Sequence, residues 1–263
     1  MSLDAALVEG TRSAVAEAGR IAMRYFRQAH GRWEKGPGQV VTDADIEVDR
    51  FLRSRLGALA PDAGWLSEET ADDGSRLSHA RVWVVDPIDG TRSFAEGKPE
   101  FTICVALLEQ GRPVLGCILN PATGERFHAE RGGGAWLDSN RLRVIEPDGI
   151  AGARVGLSRT EKRRDAIAAA LPEAERLDIG SLAYKLALIA AGRIDAYVSL
   201  RRSHDWDIAA ADLLLAEAGA RLSDAAGAPI RYDLAVPSRQ GLVAAAAKLH
   251  AALVARIAGL TTA

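Results

Sequence analysis

VWVVDPIDGTRSF, residues 82–94, joins a run suited to a buried strand to two carboxylates and an abrupt stop. Val82, Trp83, Val84 and Val85 are β-branched or aromatic with no polar alternation, the pattern of an interior strand. Pro87 and Gly90 are turn formers and end it. Asp86 and Asp89 therefore stand at the tip of a rigid element, where a turn through Pro87 and Ile88 can aim both carboxylates at one centre and expose a carbonyl between them. Hard divalent cations, magnesium above all, accept oxygen ligands of this kind. An ordinary turn or cap would use the same residues, so a metal reading needs other acids to converge.

Three segments supply them: GWLSEET with Glu68 and Glu69, VTDAD with Asp43 and Asp45, and SHDWDIAAA with Asp205 and Asp207. TDAD precedes a helical pattern and serves equally well as a cap, and Trp206 serves equally well as core. The residues alone leave convergence on a metal and separate structural duties both open. Gly90 and Thr91 add that a glycine at a helix start can present free amides to an anion, while the Thr91 hydroxyl can align a water. Carboxylate-held metal beside such amides meets the needs of phosphate-ester hydrolysis without a covalent nucleophile.

The chain has 263 residues, enough for one large domain or two lobes. With 33 basic and 35 acidic residues the formal charge is -2, which gives no global reason to bind nucleic acid or an anionic membrane. Cys104 and Cys117 lie in apolar runs and read as reduced packing residues. No basic-then-apolar leader opens the chain, and no apolar run approaches the roughly 20 residues that span a bilayer, so a soluble cytoplasmic protein is expected.

Apolar positions from Leu7 to Tyr25 predict a long helix over 3–26, and GRWEKGPGQ breaks it. Ala44, Val48, Phe51, Leu52 and Leu59 predict a second helix after Thr42. Residues 82–138 read as several strands, with turns at Gln110–Pro113 and Asn120–Gly124. RVGLS then reads as a strand, KRRDAIAAALPEA and GSLAYKLALIAAG as helices, and RIDAYVSL as a strand; the alanine-rich AAALPEA and VAAAAK are expected to be helical. The fold class is α/β, or α+β in some schemes, with lobes at 1–145 and 146–263.

EET, DPIDGT and WDIAA, in that order, resemble the inositol monophosphatase-like family of magnesium-dependent, lithium-sensitive phosphatases, and the likeness runs from EKGPGQVVTDAD to WDIAAADLLLAEAGA. The resemblance implies a layered αβαβα sandwich, two or three Mg2+ ions, inhibition by Li+, and a homodimer. It implies metal contacts from Glu68, Asp86, the Ile88 carbonyl, Asp89 and Asp207. Asp45 and Thr91 would orient the attacking water, with Glu69 supporting. Gly90 and Thr91 would bind phosphate through their amides. Arg92, Gly180, Ser181 and Asp205 would meet substrate, Asp205 at a sugar or inositol hydroxyl. Lys35 would steady a metal-side loop or be an ordinary exposed lysine. Tyr184 would touch a ring or pack in the core, Arg201 and Arg202 would meet a second phosphate or solvent, and His204 belongs to the rim rather than to acid–base chemistry.

The substrate is expected to be a small soluble phosphate ester. GWLSEE and the acidic residue before WDIAA look like bacterial 3'(2'),5'-bisphosphate nucleotidases, which favours adenosine 3',5'-bisphosphate over inositol 1-phosphate, histidinol phosphate and sugar phosphates. Some relatives act instead as protein- or nucleic-acid-interaction factors. The intact acid-and-threonine set and the lack of a basic–aromatic surface weigh against that as the primary role, and no membrane partner is expected.

Overall fold

A computed structural model describes residues 3–28, 31–36 and 39–260; Pro37 and Gly38 of the expected break lie outside these. The first helix, α1 (Ala5–Tyr25), starts where Asp4 accepts from the Ala6 amide at 2.9 Å, and it buries Leu7, Val15, Ala18, Ile21 and Ala22 along one stripe. A hairpin of β1 (Arg32–Gly36) and β2 (Gln39–Thr42) leads into α2 (Asp43–Leu59), whose capping box pairs Thr42 with Asp45.

Seven strands form the first sheet: β3 (Gly64–Ser67), β4 (Arg81–Asp89), β5 (Thr102–Glu109), β6 (Arg112–Asn120), β7 (Glu125–Glu130), β8 (Gly134–Leu137) and β9 (Asn140–Arg141), in chain order across the sheet. Only β3–β4 is parallel; the other pairs are antiparallel, joined by short turns from β5 onward. A short helix, α3 (Thr91–Ala95), follows β4.

Beyond it come β10 (Arg154–Leu157), α4 (Arg164–Ala170), β11 (Glu175–Asp178), α5 (Leu182–Ala190), β12 (Ala196–His204), α6 (Asp205–Ala218), β13 (Ala220–Ser223), β14 (Ser238–Ala246) and α7 (Ala247–Ile257). Their five strands form the second sheet in the order β11–β10–β12–β14–β13.

Side-chain alternation along the strands builds the layers. Trp83, Val85, Val105 and Leu107 face α1 and α2, whereas Val82, Val84, Cys104 and Ala106 face α5 and α6. Gly116 permits the closest approach: a Cβ there would stand 2.7 Å from the Ala210 carbonyl of α6. Tyr197, Leu242 and Ala244 of the second sheet close on the same helices from the other side. Its outer face, with Val198, Val243 and Ala245, is covered by α4 and α7 through Ile167, Leu171, Leu249 and Leu253. The order is helix, sheet, helix, sheet, helix, the expected αβαβα sandwich.

Two expectations need correction. Of VAAAAK, Val243–Ala246 are strand residues of β14, because apolar helical layers on both sides reward a continuous small apolar run as readily as a helix would. The helix read through AAALPEA stops at Ala170, ahead of Pro172, and the chain re-enters a sheet at Glu175. Both cysteines are free and buried, and burial pushes the Cys117 thiol up to about 12. Among the described residues no helix is long and apolar enough to cross a membrane.

Candidate active site

The site is made by an irregularity at the end of β4. Asp86 pairs with Cys104 and Asp89 with Thr102, so three steps on β4 oppose two on β5, a bulge of one residue. On a regular ladder Asp86 and Asp89, three residues apart, would point to opposite faces, because side chains alternate. The bulge puts both on the face that meets α6, and it leaves Pro87, which has no amide to give, outside the ladder.

Onto that face α6 brings Asp207 in its first turn, its Oδ2 accepting from the His204 amide at 2.7 Å. Asp86, Asp89 and Asp207 each offer an oxygen within 4.8 Å of the other two. Burial, then repulsion from Glu68, Asp89 and Asp207, holds Asp86 well above the usual carboxylate range. Burial and then Asp89 and Glu68 do the same for Asp207. An all-oxygen, all-anionic donor set under mutual repulsion suits a hard divalent cation and lacks the sulfur or imidazole that would select a softer one.

Glu68 extends β3, its amide bonded to the Val85 carbonyl at 3.3 Å, and lies outside that tight group. Lys35 reaches it from β1, with Nζ 3.2 Å from Glu68 Oε1, 3.1 Å from its carbonyl and 2.8 Å from Glu69 Oε1. The lysine is thus tied to the acidic loop rather than left in solvent. Burial raises the Glu68 carboxyl and Lys35 opposes the rise.

Thr91 opens α3, its Oγ1 2.9 Å from the Ile88 carbonyl and 3.1 Å from Asp45 Oδ1. The other Asp45 oxygen accepts from the Thr42 amide at 2.8 Å and the Thr42 hydroxyl at 2.6 Å. Burial nevertheless pushes Asp45 up to about 7, against those bonds. Gly90, at φ +92°, admits no side chain: a Cβ would meet the Glu100 carbonyl at 2.9 Å.

Several residues expected at the substrate have protein partners of their own. Asp205 is fully buried; Oδ1 pairs with Arg239 and Oδ2 accepts from the Asp233 amide at 3.0 Å, so it ties the first turn of α6 to the segment leading into β14. Ser181 is also buried, its hydroxyl donating to Asp89 Oδ2. Tyr184 is core, its hydroxyl donating to Glu125 at 2.6 Å. Arg201 leans on Ser158 and Thr160, while Arg202 and Arg92 are exposed. Gly180 is half-buried, its amide on Glu100 at 3.1 Å. His204 stacks on Trp206 with centroids 4.5 Å apart, and burial and then Arg202 hold its pKa down.

Two supports escaped sequence reading. Asp49, one helical turn beyond Asp45, accepts from Ser67 at 2.5 Å and Thr70 at 2.8 Å and so holds the loop bearing Glu68 and Glu69. Its i+4 spacing from Asp45 on α2 was the available signal. Lys185, buried in α5, carried none.

Fold and acids together define a layered sandwich with a hard-cation site between its two sheets, and comparison with known proteins narrows this. The inositol monophosphatase family model matches residues 5–261, and the chain belongs to that family. It is 37% identical over 224 residues to the inositol-1-monophosphatase of Rhizobium meliloti (strain 1021), covering 81% of this chain and 84% of that one. It is 33% identical over 201 residues to the 3'(2'),5'-bisphosphate nucleotidase CysQ of Aggregatibacter actinomycetemcomitans, covering 73% and 75%. The crystal structure of extragenic suppressor protein suhB from Bartonella henselae superposes with TM-score 0.86 at 27% identity, over 96% of this chain and 98% of that one. Metal-dependent hydrolysis of phosphate monoesters is the class of activity that the membership carries.

Proposed function

We propose that the protein hydrolyses inositol 1-phosphate, or a close cyclitol phosphate, to the alcohol and inorganic phosphate. The observation that carries the reaction is the convergence of Asp86, Asp89 and Asp207 within 4.8 Å, at the end of β4 that runs on into Thr91, itself bonded to Asp45. The likeness to the Rhizobium meliloti inositol-1-monophosphatase, stronger than that to the nucleotidase, supports the substrate and reverses the preference for adenosine 3',5'-bisphosphate.

Asp86, Asp89 and Asp207, with Glu68 and the Ile88 carbonyl, would hold magnesium, in two or three ions as the family resemblance implies. When bound, magnesium supplies charge neutralisation for the phosphate oxygens and a lowered pKa for water. The chain's own part is orientation and proton placement. Thr91 Oγ1 shares its proton with Asp45 Oδ1 and offers its oxygen to the attacking water. Asp45, whose carboxyl burial raises above the usual range, is the group placed to accept that proton. Gly90 and Thr91 present amides to the phosphate. Glu69, held by Lys35, keeps the acidic loop in place. Arg92 and Gly180 border the leaving group. Li+ inhibition, a homodimer, a cytoplasmic location and a functional division near residue 145 complete the proposal.

Adenosine 3',5'-bisphosphate is the second reading, favoured by the stacked His204–Trp206 pair, a surface suited to a base, and by the exposed Arg202. Phosphate release with Mg2+ from inositol 1-phosphate, adenosine 3',5'-bisphosphate and histidinol phosphate at equal low concentrations tests both. A higher kcat/KM for the inositol ester is expected; a large preference for the nucleotide would overturn the substrate, and no turnover of any would overturn the reaction.

A further inference from the structure

Lys185 lies in the helical layer shared by both sheets and is 2% exposed. Its neighbours along α5 are Ala183, Tyr184, Leu186 and Ala187, so an ammonium there is sustained only by specific partners. Nζ donates to the Ser181 carbonyl at 2.6 Å and to the Ile179 carbonyl at 3.0 Å, and lies 5.5 Å from the centre of the Tyr197 ring. Burial lowers its pKa to about 8, against attraction from Asp89 and Glu100.

The two carbonyls bracket a strained bend. Ser181 sits at φ +55°, where a residue with a side chain stays only if its surroundings hold it. Gly180 beside it has no room for a Cβ, which would stand 2.3 Å from Ser93 Oγ and 2.9 Å from the Glu100 carbonyl. The bend turns two donors onto one acceptor: the Ser181 hydroxyl and the Ala183 amide, at 2.6 Å, both bond to Asp89 Oδ2. Asp89 pairs with Thr102 across the bulge, and Thr102 Oγ1 stands 3.1 Å from Ser181 Oγ. The orientation of Asp89 is therefore set from α5, 92 residues away.

We propose that Lys185 is a positioning residue for the metal centre: by holding the carbonyls of Ile179 and Ser181 it maintains the bend that fixes Asp89, and so sets the affinity of the site for a divalent cation. The inference rests on the metal reading of Asp86, Asp89 and Asp207. Residues that orient a metal ligand without touching the metal commonly change affinity by 10- to 100-fold. A residue that only filled the core would change stability and leave affinity alone.

Mn2+ and Mg2+ are titrated calorimetrically into the full-length protein, Lys185→Met, Ser181→Ala, the double variant and Asp89→Asn, with melting followed in EDTA. Lys185→Met and Ser181→Ala are each expected to weaken Mn2+ binding about tenfold. The double variant should bind no more weakly than the weaker single one, because both act on one carboxylate. Wild-type affinity in Lys185→Met, at whatever melting temperature, overturns the inference, as does additivity in the double variant. Lys185→Gln, which keeps two amide hydrogens but no charge, is read in the same way if the methionine variant does not fold. Wild-type protein that binds neither cation would overturn the metal reading itself, a result distinct from intact binding that ignores Lys185.

Discussion

Thr91 bridges the Ile88 carbonyl and the Asp45 carboxylate through one hydroxyl, and its half-buried side chain adds little to the core. Thr91→Ala is therefore expected to lower kcat by roughly 10²-fold or more while the melting temperature hardly moves. Steady-state rates beside a melting curve check this, and an unchanged kcat would remove Thr91 from the chemistry. Thr91, Asp86 and Asp89 were legible because a strand-ending turn places them within six residues. The partners of Asp205 and Ser181 were not legible, because they lie far off in sequence: Arg239, 34 residues on, pairs with one, and Asp89 accepts from the other. Lys185 was illegible for a plainer reason, since an isolated lysine in a helical pattern reads as a solvated one.

The bulged end of β4 and the turn into α3 act as one device. The bulge sets the face of Asp89, and Gly90 reverses the chain in a space that the Glu100 carbonyl and Ser181 leave too small for a methyl group. Gly90→Ala combines a contact below 3.0 Å with a left-handed backbone, so it should destabilise the fold by about 1–3 kcal/mol and also displace Thr91. Urea denaturation together with activity at a temperature where the variant remains folded would separate the two effects. A variant of unchanged stability would mean that the β4–α3 turn tolerates a side chain. Sequence reading found the stop at Gly90 but ended the strand too early at Pro87, because the bulge that carries β4 on to Asp89 is defined by the partner strand's register.

Two buried carboxylates, Asp86 and Asp89, and a partly exposed third, Asp207, at the meeting of two sheets link the stability of the protein to pH and metal. Asp86 and Asp207 are held above the usual carboxylate range, so the folded metal-free chain binds more protons than the unfolded chain does. Their contribution is fully present at low pH and is lost as pH rises through those elevated values. A cation that binds the deprotonated acids opposes this loss. The rise in melting temperature caused by saturating Mg2+ should therefore be larger at about pH 8 than at about pH 5.5. Scans with Mg2+ or EDTA at both pH values test the sign; a shift equal at the two, or larger in acid, would mean that these carboxylates do not share a cation.

Local sequence was enough for the helices α1 and α2, for most strands of the first sheet, and for placing Asp86 and Asp89 together at the end of one strand. Apolar period, caps and turn formers act within a few residues, and DPIDGT carries its chemistry in its own spacing. The family followed from the order of three short motifs. Tertiary structure decided the rest. It made a strand of Val243–Ala246, since two helical layers reward an apolar alanine run in either conformation. It also decided which acids face a ligand and which are consumed by partners, because direction at a buried polar group is fixed by whatever satisfies it. Asp205 and Asp207, two residues apart on one helix, show the difference: Arg239 and the Asp233 amide claim the first, and the second is left to the centre formed with Asp86 and Asp89.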